Sequence, residues 1–596
     1  MLTWILSWGG HAAIHQPGRF LDGNIFWPHA TSIAYSDPLL PVVPVFALFR
    51  ALTGSPVVAL NLTLLVLVGL SLAATYALAR RLTGRADVAL FAALAYSFSS
   101  FVSVHTVHLQ LLTLGLFPLG FLTVLRLLER PTARRGLAAG IVAGAMATGA
   151  LYYAAIYVVC VSVVIVLRIL AQSSRGGRHR GAGRVSVKPR SGWWKGWAVA
   201  GVVAAAISLP VVVPYARLQH QLPARERVDA FGFNPVDLLA PAPGSYVYGP
   251  LARAAQDRPA PFEHAAFLGI STLLLAAWGG VVLWRTRPPS RRLAMRPRRD
   301  GSGSDWSLRI KPPSGASPQP DPNERARRRE LVEVVAAGAV AAVLAAGGTV
   351  GGVPGPFRLF FDHAPGFGAI RAVSRLVVPG LLALCLLAAV GLKALIRRIP
   401  SRLAPLVAFA AAAVVLVELA APFPHQRIDR SAPQTAVDFE LRRRPDGAVV
   451  ELPAVDPEDP TRGLLWANLE APRMALSTID WHPRFNGYSG YAPVGYAQDV
   501  RILDGFPDTA ALDRMRELRL RYVVLHVGGI HGIPQYSDGE VEAIVAALPI
   551  GATATRYGNA WLVDLADSKF GSAGINRHGE GDENALHRRS SDPRWP

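Results

Sequence analysis

Two carboxylates, a histidine and several aromatics stand close together near the start of the chain. The run Leu21-Asp22-Gly23-Asn24-Ile25-Phe26-Trp27-Pro28-His29 is followed by Ala34-Tyr35-Ser36-Asp37-Pro38. A carboxylate at a membrane surface acts as general base on a hydroxyl, or holds a divalent cation that neutralises a phosphate leaving group. Asp22 and Asp37 are therefore the catalytic candidates, with His29 and Tyr35 beside them as substrate contacts. The competing reading is a plain loop, since Asp-Gly-Asn is a good turn sequence and Asp37-Pro38 suits a helix start. Spacing alone favours the loop. Arg371 and Arg375, four apart, offer two forked guanidinium groups to a phosphate; snorkelling to the headgroups explains them equally well. Arg217 joins them on the same side by the topology derived below. His105 and His108, three apart, share a helix face and are the metal candidates, although two histidines without a carboxylate partner are more often interfacial. Glu418 is an ionisable group inside an apolar run and thus a functional candidate, or a side chain that reaches nearby water.

The elements that must position these residues are membrane helices. Of 596 residues, 51% are hydrophobic and 17% charged, which rules out a single soluble globule. Cys160 and Cys385 both sit in apolar runs, so neither a disulfide scaffold nor a zinc ribbon can be drawn. Apolar runs at 56–79, 87–106, 108–127, 137–170, 196–216, 265–284, 331–350, 374–395 and 403–421 are long enough to span a bilayer. The run 137–170 is too long for one span and has basic flanks at both ends, so it reads as a hairpin folding near 149–152. That makes about ten spans. Residues 39–52 hold Pro41, Pro44 and Arg50 and read as an interfacial or re-entrant element.

Loop charge orients the spans. Residues 174–192 carry six bases and no acid, and 285–330 carries thirteen bases against five acids, so both are cytoplasmic. Residues 1–37 hold Arg19 against Asp22 and Asp37, and 218–264 four arginines against five acids, which puts both on the far side. The formal net charge of +20 is thus a topology signal, and no nucleic acid is expected as a partner. The glycine-rich run 347–352 lacks a lysine and follows a span, so it is not a phosphate-binding loop. The two basic loops and the tail are poor in aliphatics and are expected to be disordered.

After residue 427 the pattern changes to short strands and amphipathic helices. Strands are expected at 448–452 and 521–527, helices at 508–518 and 538–548, and a hairpin over 553–564. The aromatic segment 481–491, with Tyr488 and Tyr491, suits carbohydrate stacking, or is a packed turn resting on the membrane part. The expected organisation is an outer first loop (1–55), membrane helices (56–171), a basic cytoplasmic loop (172–195), helices (196–284) enclosing an outer loop (218–264), a second cytoplasmic loop (285–330), helices (331–422), an extracytoplasmic α/β domain (423–567) and a disordered tail (568–596).

These residues also carry a likeness. Trp4-Ile5-Leu6-Ser7-Trp8 with His11, then Asn24-Ile25-Phe26-Trp27-Pro28 and Tyr35-Ser36-Asp37, resemble the start of bacterial membrane glycosyltransferases of the C-class (GT-C) superfamily. Pro365-Gly366-Phe367 with Arg371 and Arg375, and Phe485-Asn486-Gly487-Tyr488-Ser489-Gly490, are similar to YfhO-like and glycosyltransferase 39-like relatives in that group. The resemblance implies a multi-pass enzyme of the bacterial plasma membrane. It would transfer a sugar from a polyprenyl-phosphate donor to a cell-envelope acceptor, with an acid of the first outer loop as catalytic base; the sequence leaves the cofactor open, Mg²⁺ or Mn²⁺ being the ions that could help the arginines hold the phosphate. In that family a membrane helix precedes the first outer loop and an acid stands just upstream, so the chain is expected to be short at its front. The other reading is a non-enzymatic transporter or scaffold for envelope polysaccharide. A transporter should show polar residues mid-membrane and internal repeats, and most spans here are plain Ala/Val/Leu runs.

Overall fold

The computed structural model describes residues 1–176, 193–219, 231–256, 261–285, 321–350, 353–364, 367–370, 372–422, 432–459, 463–530 and 533–566. Arg371, Pro365, Gly366, most of the two basic loops and the tail from 567 lie outside the described residues.

The first 55 residues form two helices, α1 (Leu2–His15) and α2 (Val43–Thr53), joined by a loop with two short 3-10 turns. The membrane part continues through α3 (Pro56–Thr83), α4 (Ala86–Ser97), α5 (Ser100–Val104), α6 (Leu116–Glu129), α7 (Ala133–Gly149), α8 (Leu151–Gly176), α9 (Trp193–Gln219), α10 (Gly249–Gln256), α11 (Ile270–Arg285), α12 (Pro322–Ala345), α13 (Pro356–His363), α14 (Val378–Ile396) and α15 (Ala404–Glu418). Among the described residues, six segments are long and apolar enough to cross a membrane: Pro56–Thr83, Ala86–Val107, Leu111–Glu129, Leu151–Ser173, Trp194–Leu218 and Val373–Ile396. Helices α2, α11 and α15 are apolar but shorter. The chain is a mostly helical multi-pass membrane protein.

Two boundaries differ from the sequence expectation, each for a local reason. Helix α12 starts at Pro322 rather than 331: Asp321 accepts the Asn323 N–H at 3.0 Å, proline occupies the first turn, and Glu330 and Glu333 are neutralised by Arg81 and Arg168 from α3 and α8. A charged run that reads as loop is helix because neighbouring helices supply its counter-charges. The span expected over 108–127 is helical only from Leu116; residues 105–115 hold two 3-10 turns instead. Upstream, the Ser100 N–H donates to Phe267 O and its Oγ accepts from the Ala242 N–H, tying the end of α4 to the 231–269 segment. The long run 137–170 breaks at Ala150, inside the expected 149–152 window.

Small residues bring the helices into close contact. Gly136, Gly140 and Gly144, four apart on α7, face α9, where a Cβ on Gly136 would fall 2.0 Å from Gly196 O. Gly279 and Gly391 do the same for α11 and α14, each facing a backbone carbonyl of the other helix.

The C-terminal part holds a four-stranded sheet of β1 (Ala448–Leu452), β2 (Leu520–His526), β3 (Thr553–Tyr557) and β4 (Ala560–Asp564), in the order β1-β2-β4-β3. Strands β1 and β2 are parallel and fully or nearly fully buried, so helices connect and cover them: α17 (Gly463–Leu476), α18 (Tyr496–Leu503) and α19 (Thr509–Glu517), with α16 (Ala432–Leu441) before and α20 (Asp538–Ala546) after. Asp508 caps α19 through the Ala511 N–H, and Ser537 and Glu540 form a capping box on α20.

This domain is stitched to the first loop. The Arg484 N–H donates to Asn24 O at 2.8 Å, the Trp27 N–H to Arg484 O at 2.9 Å and the Phe26 N–H to Asn486 O at 3.4 Å. On its other side the Phe485 N–H donates to Val449 O of β1, so 484–486 lies between the sheet and the loop. Asn24 closes the seam: it accepts from Trp4 Nε1 at 2.7 Å and donates to Ser477 Oγ and His482 O, both at 3.2 Å.

Candidate functional site

Asp37 follows the 3-10 turn Ser32–Tyr35 on the loop that leads into α2. The Tyr215 hydroxyl of α9 pins this loop by donating to Ile33 O and Ser36 O, and the Leu40 N–H donates to Thr148 O. The break at Ala150 gives α8 a free N-terminus there, and the Leu151 N–H donates to the Asp37 carboxylate. Burial nevertheless pushes the Asp37 carboxyl up to about 6, against the pull of the Arg375 guanidinium and of the Leu151 N–H.

Arg375 sits in the 3-10 turn Val373–Val377 that opens into α14. Its fork is bidentate to Glu263, Nε to Oε2 at 3.0 Å and Nη2 to Oε1 at 2.5 Å, and its guanidinium lies 5.9 Å from the centroid of the Tyr152 ring. Glu263 belongs to the short turn Pro261–His264, and Ser374 Oγ adds a long bond at 3.5 Å. Burial opposes ionisation of Glu263, but the bidentate Arg375 guanidinium holds its carboxyl well below the usual range.

The unwound stretch 105–115 supplies the rest. The Phe101 carbonyl, 2.8 Å from His105 Nδ1, fixes a proton there and leaves Nε2 3.8 Å from Glu263 Oε2 with no hydrogen-bond partner among the described residues. The His108 ring lies 5.7 Å from that of His105, and burial, with Arg375 and His105 adding to it, lowers His108 to about 4, so it is neutral. His108 Nδ1 and the Tyr152 hydroxyl are likewise buried without a partner among the described residues. Three polar atoms without a partner among the described residues, around a carboxylate and an ion pair, make a site that suits a polar ligand or water.

The structure therefore brings Asp37, Arg375, His105 and His108 together and adds Glu263 and Tyr152, which sequence reasoning missed. Glu263 reads in sequence as one acid of a mixed loop; its only signal is its place between Phe262 and His264 just ahead of a span. The other candidates lie elsewhere. Asp22 accepts the Thr31 N–H at 2.8 Å and pairs with Arg19 at 3.3 Å, bracing a turn. His29 is half-buried near Asp499 of α18; burial lowers its pKa and Asp499 opposes that. Tyr35 packs edge-on to Phe26, and burial raises its hydroxyl pKa. Arg217 is exposed. Tyr488 packs against Trp466 and Tyr491 is half-buried in the same domain, while Trp481 stacks on His11 of α1 at 4.2 Å, so the aromatic segment forms the seam with the membrane part. Glu418 accepts from the Tyr248 hydroxyl at 2.6 Å and from the Ser271 N–H and Oγ, capping α11.

Among the described residues no three His, Cys, Asp or Glu side chains converge to hold a metal ion. His105 spends Nδ1 on Phe101, and both Glu263 oxygens are taken by Arg375. The donor set does not fit a divalent cation.

Inside the C-terminal domain a second set of charges is buried. Arg484 bonds Asp438 at 3.0 Å and Asp480 at 2.6 Å and lies 3.4 Å from Glu451; Arg473 bonds Glu470 at 3.0 Å, and His526 lies 2.7 Å from Glu451. This network fixes the segment whose backbone holds Asn24 and Trp27.

Fold and site thus define a multi-pass helical membrane protein with a buried polar cluster at the ends of its spans. The family model described as a domain of unknown function (DUF6311) matches residues 11–301. No curated protein matches the chain. Among solved structures it is similar to arabinofuranosyltransferase AftD from Mycobacteria, with 15% identity and a TM-score of 0.49, over 94% of this chain and 39% of that one. The chain thus spans about two fifths of that protein's length. It is also similar to ArnT from Cupriavidus metallidurans bound to undecaprenyl phosphate, with 13% identity and a TM-score of 0.41, over 94% of this chain and 96% of that one.

Proposed function

We propose that the protein is a membrane glycosyltransferase that moves a sugar from a polyprenyl-phosphate donor to a cell-envelope acceptor at the extracytoplasmic face of the bacterial plasma membrane. The observation that carries this reading is the buried polar cluster in which the Asp37 carboxyl, raised to about 6 by burial, feels the charge of the Arg375 guanidinium and accepts the Leu151 N–H. At neutral pH Asp37 is mostly ionised and its affinity for a proton lies near the working pH, as a general base requires. Its place in the first loop is also where the GT-C resemblance puts the catalytic acid.

In this reading an acceptor hydroxyl attacks the anomeric carbon from the Asp37 side and gives its proton to Asp37. The bond from the anomeric carbon to the phosphate oxygen breaks, and the polyprenyl phosphate departs with the electron pair. Glu263 occupies Nε and one Nη2 hydrogen of Arg375, which leaves Nη1 to meet the developing phosphate charge. The unpartnered His105 Nε2, His108 Nδ1 and Tyr152 hydroxyl receive sugar hydroxyls. Displacement from the opposite face inverts the anomeric centre.

The test uses membranes expressing Asp37→Asn or Asp22→Asn, checked for equal expression and offered radiolabelled hexosyl and pentosyl polyprenyl phosphates. Asp37→Asn is expected to lose transfer by roughly 10²–10⁴-fold, and Asp22→Asn to retain most of it. Full activity of Asp37→Asn would overturn the assignment.

A further inference from the structure

At a separate place, on the face where α8 and α11 lead into the basic segments, α3 and α6 end beside the start of α12. A cavity of about 500 Å³ lies between them, walled by Arg80, Arg81, Glu129, Asn323, Arg327 and Glu330. Its two glutamates are already over-supplied with cations. Glu129 pairs with Arg81 at 2.6 Å and Arg135 at 3.5 Å, and Glu330 with Arg81 at 2.9 Å and Arg168 at 3.9 Å. Arg80 donates only to the Gly84 carbonyl, and neither Arg80 nor Arg327 has a carboxylate partner among the described residues. Both are exposed, and Arg327 lies so close to Gly84 that a Cβ there would meet its guanidinium. Two uncompensated guanidinium groups thus border one recess at the end of membrane helices, with Asn323 as a further donor.

We propose that this recess is a phosphate-binding site, fitted to a phosphoester anion carried by a membrane phospholipid headgroup or free in the aqueous phase. The guanidinium fork matches phosphate oxygens, and a basic pocket between helix ends at the membrane boundary is where anionic headgroups are held. The site is independent of Asp37 and of the transfer reaction.

The experiment uses the purified full chain and its Arg80→Gln/Arg327→Gln variant, with Arg402→Gln, an exposed arginine of the turn 401–403, as the surface-charge control. Thermal melting in phosphatidylcholine nanodiscs checks that each is folded. One arm measures retention of phosphatidylglycerol against phosphatidylcholine by native mass spectrometry; the other measures binding of labelled inorganic phosphate by equilibrium dialysis. Removing two cations at about fivefold each should weaken binding roughly 25-fold at low salt, with Arg402→Gln unchanged. Loss in the lipid arm alone assigns a headgroup, and loss in the phosphate arm assigns a soluble ligand. No binding in either arm, equal binding by the double variant, or equal loss in Arg402→Gln overturns the proposal.

Discussion

Replacing Asn24 by alanine removes three buried hydrogen bonds at once, at the point where the first loop meets the C-terminal domain. The bonds are 2.7 Å from Trp4 Nε1 and 3.2 Å each to Ser477 Oγ and His482 O, and Asn24 is 6% exposed. At about 1 kcal/mol for each net bond the loss is roughly 3 kcal/mol, before the cost of leaving the Trp4 N–H and the His482 carbonyl unpaired. That is an increase of about 10²-fold in the population of the opened seam. Hydrogen exchange measured by mass spectrometry on the full protein reads this directly, because the amides of Trp27 and Arg484 are bonded only across the seam. Their exchange should accelerate by about that factor, while the amides of β2, deep in the sheet, keep their protection. Sugar transfer should fall as well, since the same loop carries Asp37 and small misplacements of a catalytic group are costly. Unchanged exchange at Trp27 and Arg484, or equal loss of protection throughout β2, would refute the reasoning that the seam is a local and separable contact.

Two further outcomes follow from the charges. Burial raises the Glu470 carboxyl to about 7 despite Arg473 beside it, so its stabilising contribution is complete below the ordinary glutamate range and is lost as pH rises through 7. Glu470→Gln, which keeps an acceptor for Arg473, should flatten the fall in domain stability between pH 5 and 8, measured by exchange of the β1 and β2 amides; an unchanged slope contradicts this. Chelation with EDTA should leave transfer unaltered, because Arg375 already occupies both Glu263 oxygens; a rate restored only by Mg²⁺ or Mn²⁺ would show that the cluster rearranges around a cation.

The membrane helices were legible because an apolar run states its own length, and the break near 150 because basic residues flank both ends of 137–170. Strands at 448–452 and 521–527 showed their β-branched patterns, and 553–564 its hairpin. The site was legible by residue type only. Asp37 and Arg375 stand out as charges at the mouths of spans, but nothing local distinguishes Asp37 from Asp22: one is enclosed by Leu151 and Arg375, the other braces a turn with Arg19 and Thr31. Glu263 gains meaning only when a turn 112 residues away brings Arg375 to it. The buried network of Glu451, Glu470, Arg473 and Arg484 was hidden for the same reason, since isolated charges in sequence read as solvated and only the tertiary fold supplies each with its counter-charge.

The most direct test is the pH dependence of kcat/KM for sugar transfer by the unaltered protein and by Asp37→Glu and Asp37→Asn. With the base at about 6, transfer should fall tenfold per pH unit on the acid side of that value. The position of this limb should move in Asp37→Glu, and the limb should vanish with the activity in Asp37→Asn. A limb at the same pH in all three proteins would contradict the claim that Asp37 accepts the acceptor's proton.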